Sequence, residues 1–359
     1  MAGDRRRPLL AAGLGLLLAA ALVGGLELAA RQIEASRIPD HAAPRSGPRD
    51  PVTLQPHPYL LWEHAPGARQ EQGVEVHINS LGLRGPEPRL PKPAGVRRIL
   101  AVGDSTVYGF GVPLEDAFVQ VAARALGGAD HGLEGLPAAL PGYSTLQLLN
   151  LLQLRALRLE PDLLVLAPVW SDNATSALED AQLMDRYQRY DRSITGALDR
   201  SLRRVALYRL LAWELSVRRG AQATARADYS FEQPHPEGSL QRVPVERYRA
   251  NLEALAGLAQ DHGAALAYMV LPHPADLRGD DEGHASYHPY RLALRQAAAA
   301  NHAPLVEGGE VLARAAKADP RLDIDALFLD NIHPTVQGHL LLGQALAQAL
   351  AEWEQQTRP

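Results

Sequence analysis

Residues 98–105 read Arg-Ile-Leu-Ala-Val-Gly-Asp-Ser. Four apolar side chains run unbroken into Gly103 and Asp104, and an apolar run stopped by turn residues is the pattern of a strand buried in a parallel sheet. A helix is expected to follow across Ala117 to Leu126. The signature returns as LLVLAP at 163–168 and ALAYMVLP at 265–272. Each of these is preceded by a helical pattern, TLQLLNLLQLRAL from Thr145 and VERYRANLEALAGLAQDHG from Val245. Strands alternating with helices predict an α/β fold, a parallel sheet covered on both faces. A last helix, from Thr335 through Trp353, is expected to close the domain with Val336, Leu340, Leu346, Leu350 and Trp353 as its core-facing stripe.

Toward the N-terminus, residues 8–30 (PLLAAGLGLLLAAALVGGLELAA) are apolar except for Glu27. As a helix they would be about 34 Å long, enough to cross a hydrocarbon core of about 30 Å. Arg5, Arg6 and Arg7 precede them, so the positive-inside rule keeps the N-terminus cytoplasmic and places the rest of the chain outside. Ala19 and Ala21 also form an A-x-A pattern, which leaves secretion after signal cleavage as the alternative to an uncleaved anchor. From Arg37 to Pro58, six prolines read as a semi-rigid stalk. VEVHINSLGLRG, residues 74–85, alternates Val74, Val76 and Ile78 and then turns at Gly82 and Gly85, which predicts a short strand packed on the main domain. Between Asn173 and Val243 lie about seventy residues, far more than an αβ connection needs. They are expected to form a helical insertion, either a cap over the cleft or a side elaboration.

Composition narrows the function. Apolar residues make up 46% of the chain and aromatics only 5%, so the core must be built from Leu, Ala and Val. A net charge of -5, with no basic run beyond the N-terminal arginines, excludes the electrostatic footprint of a nucleic-acid binder. The absence of cysteine excludes disulfides, thiolate metal sites and a cysteine nucleophile.

In open α/β sheets ligands bind beyond the carboxyl ends of the strands, which is where Ser105 stands. A serine becomes a nucleophile only when a base takes its proton, usually a histidine oriented by a carboxylate. LFLDNIHPT supplies both, with Asp330 and His333 three residues apart, so that one short turn can hold the carboxylate against the imidazole. Taken singly, Gly-Asp-Ser is a common strand-to-turn sequence and Asp-x-x-His fits an ordinary turn.

Together, GDSTVYG from Gly103, PGYST at 141–145 and DNIHPTVQGH from Asp330 resemble the three ordered blocks of the SGNH/GDSL hydrolase family, over about residues 96–352. An INSLGLRG-like segment ahead of the strand is similar to membrane-anchored members. The resemblance implies a three-layer α/β/α, flavodoxin-like fold with a parallel central sheet and a helical insertion. The expected organisation is a basic tip and signal-anchor over 1–34, a stalk with a short strand over 35–95, and a hydrolase domain over 96–355 with 174–243 inserted. It also implies Ser105 as nucleophile, His333 as general base and then acid, and Asp330 as the orienting carboxylate. The backbone N–H groups of Ser105 and Gly142 would form the oxyanion hole. The family's Gly-x-Asn-Asp block is replaced here by Val169-Trp170-Ser171-Asp172-Asn173. An ungapped count puts Ser171 at the Asn position, whereas Asn173 has the better donor chemistry and is taken as the third oxyanion donor, with Ser171 as the alternative.

The expected substrate is an acyl ester, an acylated glycan or lipid among the candidates, with no cofactor, no metal and no nucleic acid. Transfer of the acyl group to a sugar hydroxyl or deacetylation of an envelope polysaccharide is the enzymatic alternative; a catalytically silent binding protein on the same fold is the other. His273, His284 and His288 with Asp280 or Asp281 offer cation-ligand chemistry or a plain polar loop. Tyr143 and Trp170 are read as pocket lining or packing, and Arg84 as a structural cation or an anion binder.

Overall fold

The computed structural model describes residues 6–37, 54–212, 215, 240–280, 285–319 and 321–357. They fall into two compact units, one containing the N-terminal helix and the segment from residue 189, the other containing the remaining body. In the first unit, helix α1 spans Arg6–Arg37. Its stretch Gly13–Ile33 has a mean hydropathy of 1.9.

The body is organised by five parallel strands: β1 (Arg97–Gly103), β2 (Leu133–Ala139), β3 (Leu163–Ala167), β4 (Ala265–Val270) and β5 (Leu305–Glu307). Their order is β5-β4-β3-β1-β2. Ile99 stands opposite Leu163, and Gly103 opposite both Ala139 and Ala167. The apolar runs anticipated from the sequence are β1, β3 and β4, the three inner strands, and inner strands must be apolar because both faces are covered. β2 and β5 are the edges. LEGLPAA gives no strand signal because Gly135 and Pro137 interrupt it, yet an edge strand tolerates a proline that an inner one does not.

Six helices flank the sheet: α3 (Phe118–Ala125), α4 (Thr145–Leu154), α5 (Val245–Asp261), α6 (His288–Ala300), α7 (Gly308–Ala318) and α8 (Val336–Thr357). α3, α8 and α7 pack in sequence, as do α4, α5 and α6, giving a layer of helices on either side of the strands. The buried face of α8 differs from the expected stripe. Val336 is exposed and Leu340 half-buried, whereas His339, Leu342, Gly343, Leu346 and Leu350 face inward. The rotation follows from Gly343: a Cβ there would sit 2.6 Å from the Phe118 carbonyl oxygen and 2.5 Å from the Val121 Cβ. The missing side chain therefore lets α8 lie directly on α3, a feature invisible to a count of apolar residues.

Residues 54–78, which overlap the Pro-rich stretch and were expected to contain a single strand, instead pair as two hairpins. Leu54–His57 pairs antiparallel with Leu61–His64, and Gly67–Glu71 with Val74–Ile78. Leu60, Val76, Ile78, Leu81 and Leu83 join the main apolar core, so this stretch is part of the body rather than an extended stalk. The stalk's remaining residues, 38–53, lie outside the described residues.

Gly103 ends β1 where the chain must turn sharply. A Cβ would collide with the Val107 side chain and approach the Ala167 carbonyl oxygen to 2.8 Å. Val107 can rotate; the backbone of β3 cannot. Gly103→Ala is therefore expected to destabilise the body by about 1–3 kcal/mol in urea unfolding, the usual cost of overpacking.

Candidate active site

Ser105 is the first residue of a one-turn helix, α2 (Ser105–Tyr108), placed directly beyond the carboxyl end of β1. The turn closes at Gly109, whose left-handed φ of 79° suits a glycine C-cap. Arg84 holds this loop from behind. Its Nη1 donates to the carbonyls of Tyr108 (3.0 Å) and Gly109 (2.6 Å), and its Nη2 to that of Val112 (2.7 Å). Of its two possible roles, Arg84 has the structural one, with backbone carbonyls as its partners rather than a carboxylate. Burial lowers its pKa from the usual arginine value, with the facing charges of Tyr108 and Glu71 opposing the shift.

Asp330 and His333 occupy the loop between α7 and α8, closed by a bridge from Phe328 to Pro334 and by the Leu329 N–H on the His333 carbonyl at 2.7 Å. Asp330 Oδ1 accepts the N–H groups of Ile332 (2.9 Å) and His333 (2.8 Å), while Oδ2 lies 2.6 Å from His333 Nδ1. The other ring nitrogen, Nε2, is 2.7 Å from Ser105 Oγ. Three side chains separated by up to 228 residues in sequence thus form one continuous chain of hydrogen bonds. Burial pushes the Asp330 pKa up, but the His333 hydrogen bond and charge and the two N–H donors outweigh it and hold the carboxyl below its usual range. The carboxylate is therefore the form that faces the imidazole. Thr106 Oγ1 donates to the Ile332 carbonyl (3.3 Å), tying the two loops together, and the Phe110 ring packs on the His333 ring at 4.6 Å between centroids. Ser105 and His333 are each 9% exposed, sheltered yet reachable.

The Ser105 and Gly142 N–H groups donate to no acceptor among the described residues. Gly142 has a left-handed φ of 81°. Its carbonyl accepts from Arg242 Nη1 at 2.7 Å. Asp104, fully buried beside Ser105, accepts the N–H groups of Thr106 (3.3 Å) and Trp170 (3.0 Å). Burial raises its pKa to about 6 against those hydrogen bonds and one from the Ser171 N–H. Asp104 thus draws the turn after β3 up to Ser105. Within that turn the Asn173 amide is engaged: its Nδ2 donates to Ser286 Oγ (2.9 Å) and its Oδ1 accepts from Gln241 (3.1 Å). Ser171 is buried, and its hydroxyl has no hydrogen-bond partner among the described residues. Asp172 carries the Thr145 N–H (3.0 Å) and hydroxyl (2.5 Å), which anchors the start of α4. Its pKa is raised to about 7 by burial, against the Thr145 bonds.

Tyr143 and Trp170 are core side chains. Tyr143 is fully buried and donates to the Trp62 carbonyl at 2.6 Å, and Trp170 is edge-on to Tyr287 at 4.9 Å. His273 caps a short helix by accepting the Ala275 N–H (3.1 Å), and His288 opens α6. Asp281 and His284 lie outside the described residues.

Sequence reasoning passed over His339. Fully buried on α8, it accepts the Phe118 N–H through Nδ1 at 3.3 Å. Burial drives its pKa down to about 3, with the charges of His333 and Arg84 adding to the effect. An unfolded chain takes up this proton near pH 6.5, but the folded chain does not until about pH 3. The contribution to stability is therefore complete above pH 6.5 and declines as pH falls, by about 1.4 kcal/mol per pH unit. Urea unfolding at pH 6.5 and 5 should show His339→Gln losing about 2 kcal/mol less than the parent over that interval. An equal loss in both would dismiss the buried neutral imidazole.

No protein-family model matches the chain, and no curated protein does. Among solved structures, the chain is similar to a lipase/acylhydrolase from Enterococcus faecalis at 16% identity and a TM-score of 0.42, covering 72% of this chain and 97% of that one. It is also similar to an acetylxylan esterase from Geobacillus stearothermophilus, at 13% identity and a TM-score of 0.47, covering 72% and 96%. A third is the psychrotrophic esterase from a Pseudoalteromonas species, at 14% identity and a TM-score of 0.42, covering 72% and 99%.

Proposed function

We propose that the protein is a serine esterase of the SGNH/GDSL type, held outside the cytoplasm by α1. The observation that carries this reading is the relay from Ser105 Oγ through His333 to Asp330, with its 2.7 and 2.6 Å links. His333 Nε2 takes the Ser105 proton as Oγ attacks the ester carbonyl. Asp330 keeps the imidazole oriented with its Nδ1 proton toward the carboxylate and stabilises the imidazolium that forms. The same proton then goes to the leaving alkoxide, which departs as an alcohol, leaving an acyl-enzyme. Water, deprotonated by His333, attacks that intermediate, and Ser105 leaves with its proton restored.

Charge that develops on the carbonyl oxygen is met by the Ser105 and Gly142 N–H groups, both without another acceptor. Because the Asn173 amide is already engaged, the Ser171 hydroxyl is the better third donor in this reading. Ser171→Ala is expected to lower kcat by about a hundredfold with KM little changed, since a donor of this kind acts mainly in the transition state. Asn173→Ala should instead act chiefly on stability; a reversed pattern would return the role to Asn173.

Arg5, Arg6 and Arg7 before an apolar helix support an anchor with a cytoplasmic N-terminus. The exposure of Leu14, Leu17 and Leu28 along α1 supports a lipid-facing surface. Treatment of the whole protein with a fluorophosphonate probe tests the activity directly. Covalent labelling that is absent in Ser105→Ala and sharply reduced in His333→Ala is the expected result. No labelling of the folded parent would overturn the esterase reading and favour a binding protein.

A further inference from the structure

The unit that contains α1 also contains an unusual contact. The Glu27 carboxylate, inside the apolar stretch, accepts the N–H groups of Ala206 and Leu207 at 3.0 Å each, and Arg31 Nε at 2.9 Å. Residues 206–212 are helical, so Glu27 satisfies the free donors at the start of that helix and meets the positive end of its dipole. A carboxylate in or near hydrocarbon is tolerated only when it is paired in this way. The contact therefore fixes this part of the insertion against the outer portion of α1.

The side chains around it are apolar and face outward. On the helix Ile194–Leu202, Ile194 (89% exposed), Leu198 (57%) and Leu202 recur every four residues and so form one stripe, and Leu211 (56%) is exposed on the next helical segment. On the same elements Asp199 is engaged by Arg203 Nε at 2.8 Å and by the Tyr208 hydroxyl at 2.6 Å, and Asp191 pairs with Arg200. Across residues 189–212 six arginines stand against two aspartates, so this stretch is net positive. Exposed leucines with arginines beside them, attached to an apolar helix of spanning length, match the chemistry of a bilayer interface with anionic headgroups.

We propose that residues 194–211 lie in the outer leaflet's interface as a second membrane contact, with Ile194, Leu198 and Leu211 among the acyl chains. This rests on the reading of α1 as a membrane anchor. It makes this part of the insertion a membrane-seating element.

Because the chain has no cysteine, any introduced one is unique. Nitroxides at Leu198→Cys and Leu211→Cys in the whole protein, in nanodiscs of phosphatidylethanolamine and phosphatidylglycerol, are compared with labels at Leu18→Cys in α1 and at Gln344→Cys on the exposed side of α8. Relaxation by oxygen, which concentrates in lipid, over relaxation by a water-soluble nickel chelate should be several-fold higher at 198 and 211 than at 344, as at 18. A lipid signal at 18 with an aqueous one at 198 and 211 would overturn the second contact and leave the anchor standing. Shielding of 198 and 211 from both reagents would also overturn it, indicating protein rather than lipid on the stripe. An aqueous signal at 18 would remove the anchor and this inference with it.

Discussion

Ser105→Ala should lower kcat on a short acyl ester by about 10⁴–10⁶-fold while KM changes little, because the lost oxygen acts in bond formation and not in ground-state binding. The geometry sets the expectation for combinations as well. Ser105 Oγ and Nε2 of His333, 2.7 Å apart, act as one unit, so the Ser105→Ala/His333→Ala pair should be scarcely slower than Ser105→Ala alone. Residual turnover above the uncatalysed rate would remain from the Ser105 and Gly142 N–H groups. Steady-state kinetics of the two single variants and the double variant measure this. Multiplying losses would mean that Ser105 and His333 act separately, and the relay would then be a structural contact only.

The second large effect is expected at Arg242, which no motif marks. Its guanidinium holds Asp180 with a fork, Nε to Oδ1 at 3.0 Å and Nη2 to Oδ2 at 2.8 Å, and also donates to Gln147 Oε1 and to the Gly142 carbonyl. Ser144 Oγ completes the group by donating to Asp180 at 2.6 Å. All of these side chains are buried. Arg242→Met would leave the Asp180 carboxylate in a poor environment without its cation, at a cost of about 3–5 kcal/mol, the usual result of breaking a buried ion pair from one side. Urea unfolding should report that loss, and kcat should fall as well because Gly142 loses its carbonyl partner. Arg242→Lys keeps the charge without the fork and should recover only part of the stability. Unaltered stability in Arg242→Met would show that the pair contributes nothing net.

Arg242 and Asp180 also close the base of the long insertion. They stand at its two ends, beside the short pairing of Thr175 with Gln241 and Ser176 with Leu240. Closing a long loop costs only slightly more than closing a short one, so a staple at the base can hold the ends of an insertion of this length together.

What the sequence alone made legible was local. Three inner strands announce themselves because burial on both faces demands unbroken apolar runs. Asp330 and His333 could be paired from their spacing because a single turn brings them together. Ser105 follows from its place after a strand. The tertiary structure alone decided the rest. β2 passes as a strand only because it lies at an edge, where Pro137 does no harm. The inward face of α8 is set by Gly343 meeting α3, and residues 54–78 become part of the core only once the body is there to receive Leu60 and Ile78. The duties of Arg84, Arg242 and His339 depend on partners 24 to 221 residues away. Periodicity reports which face of one element avoids water; it carries no information about which distant backbone carbonyl, carboxylate or helix will fill the space opposite.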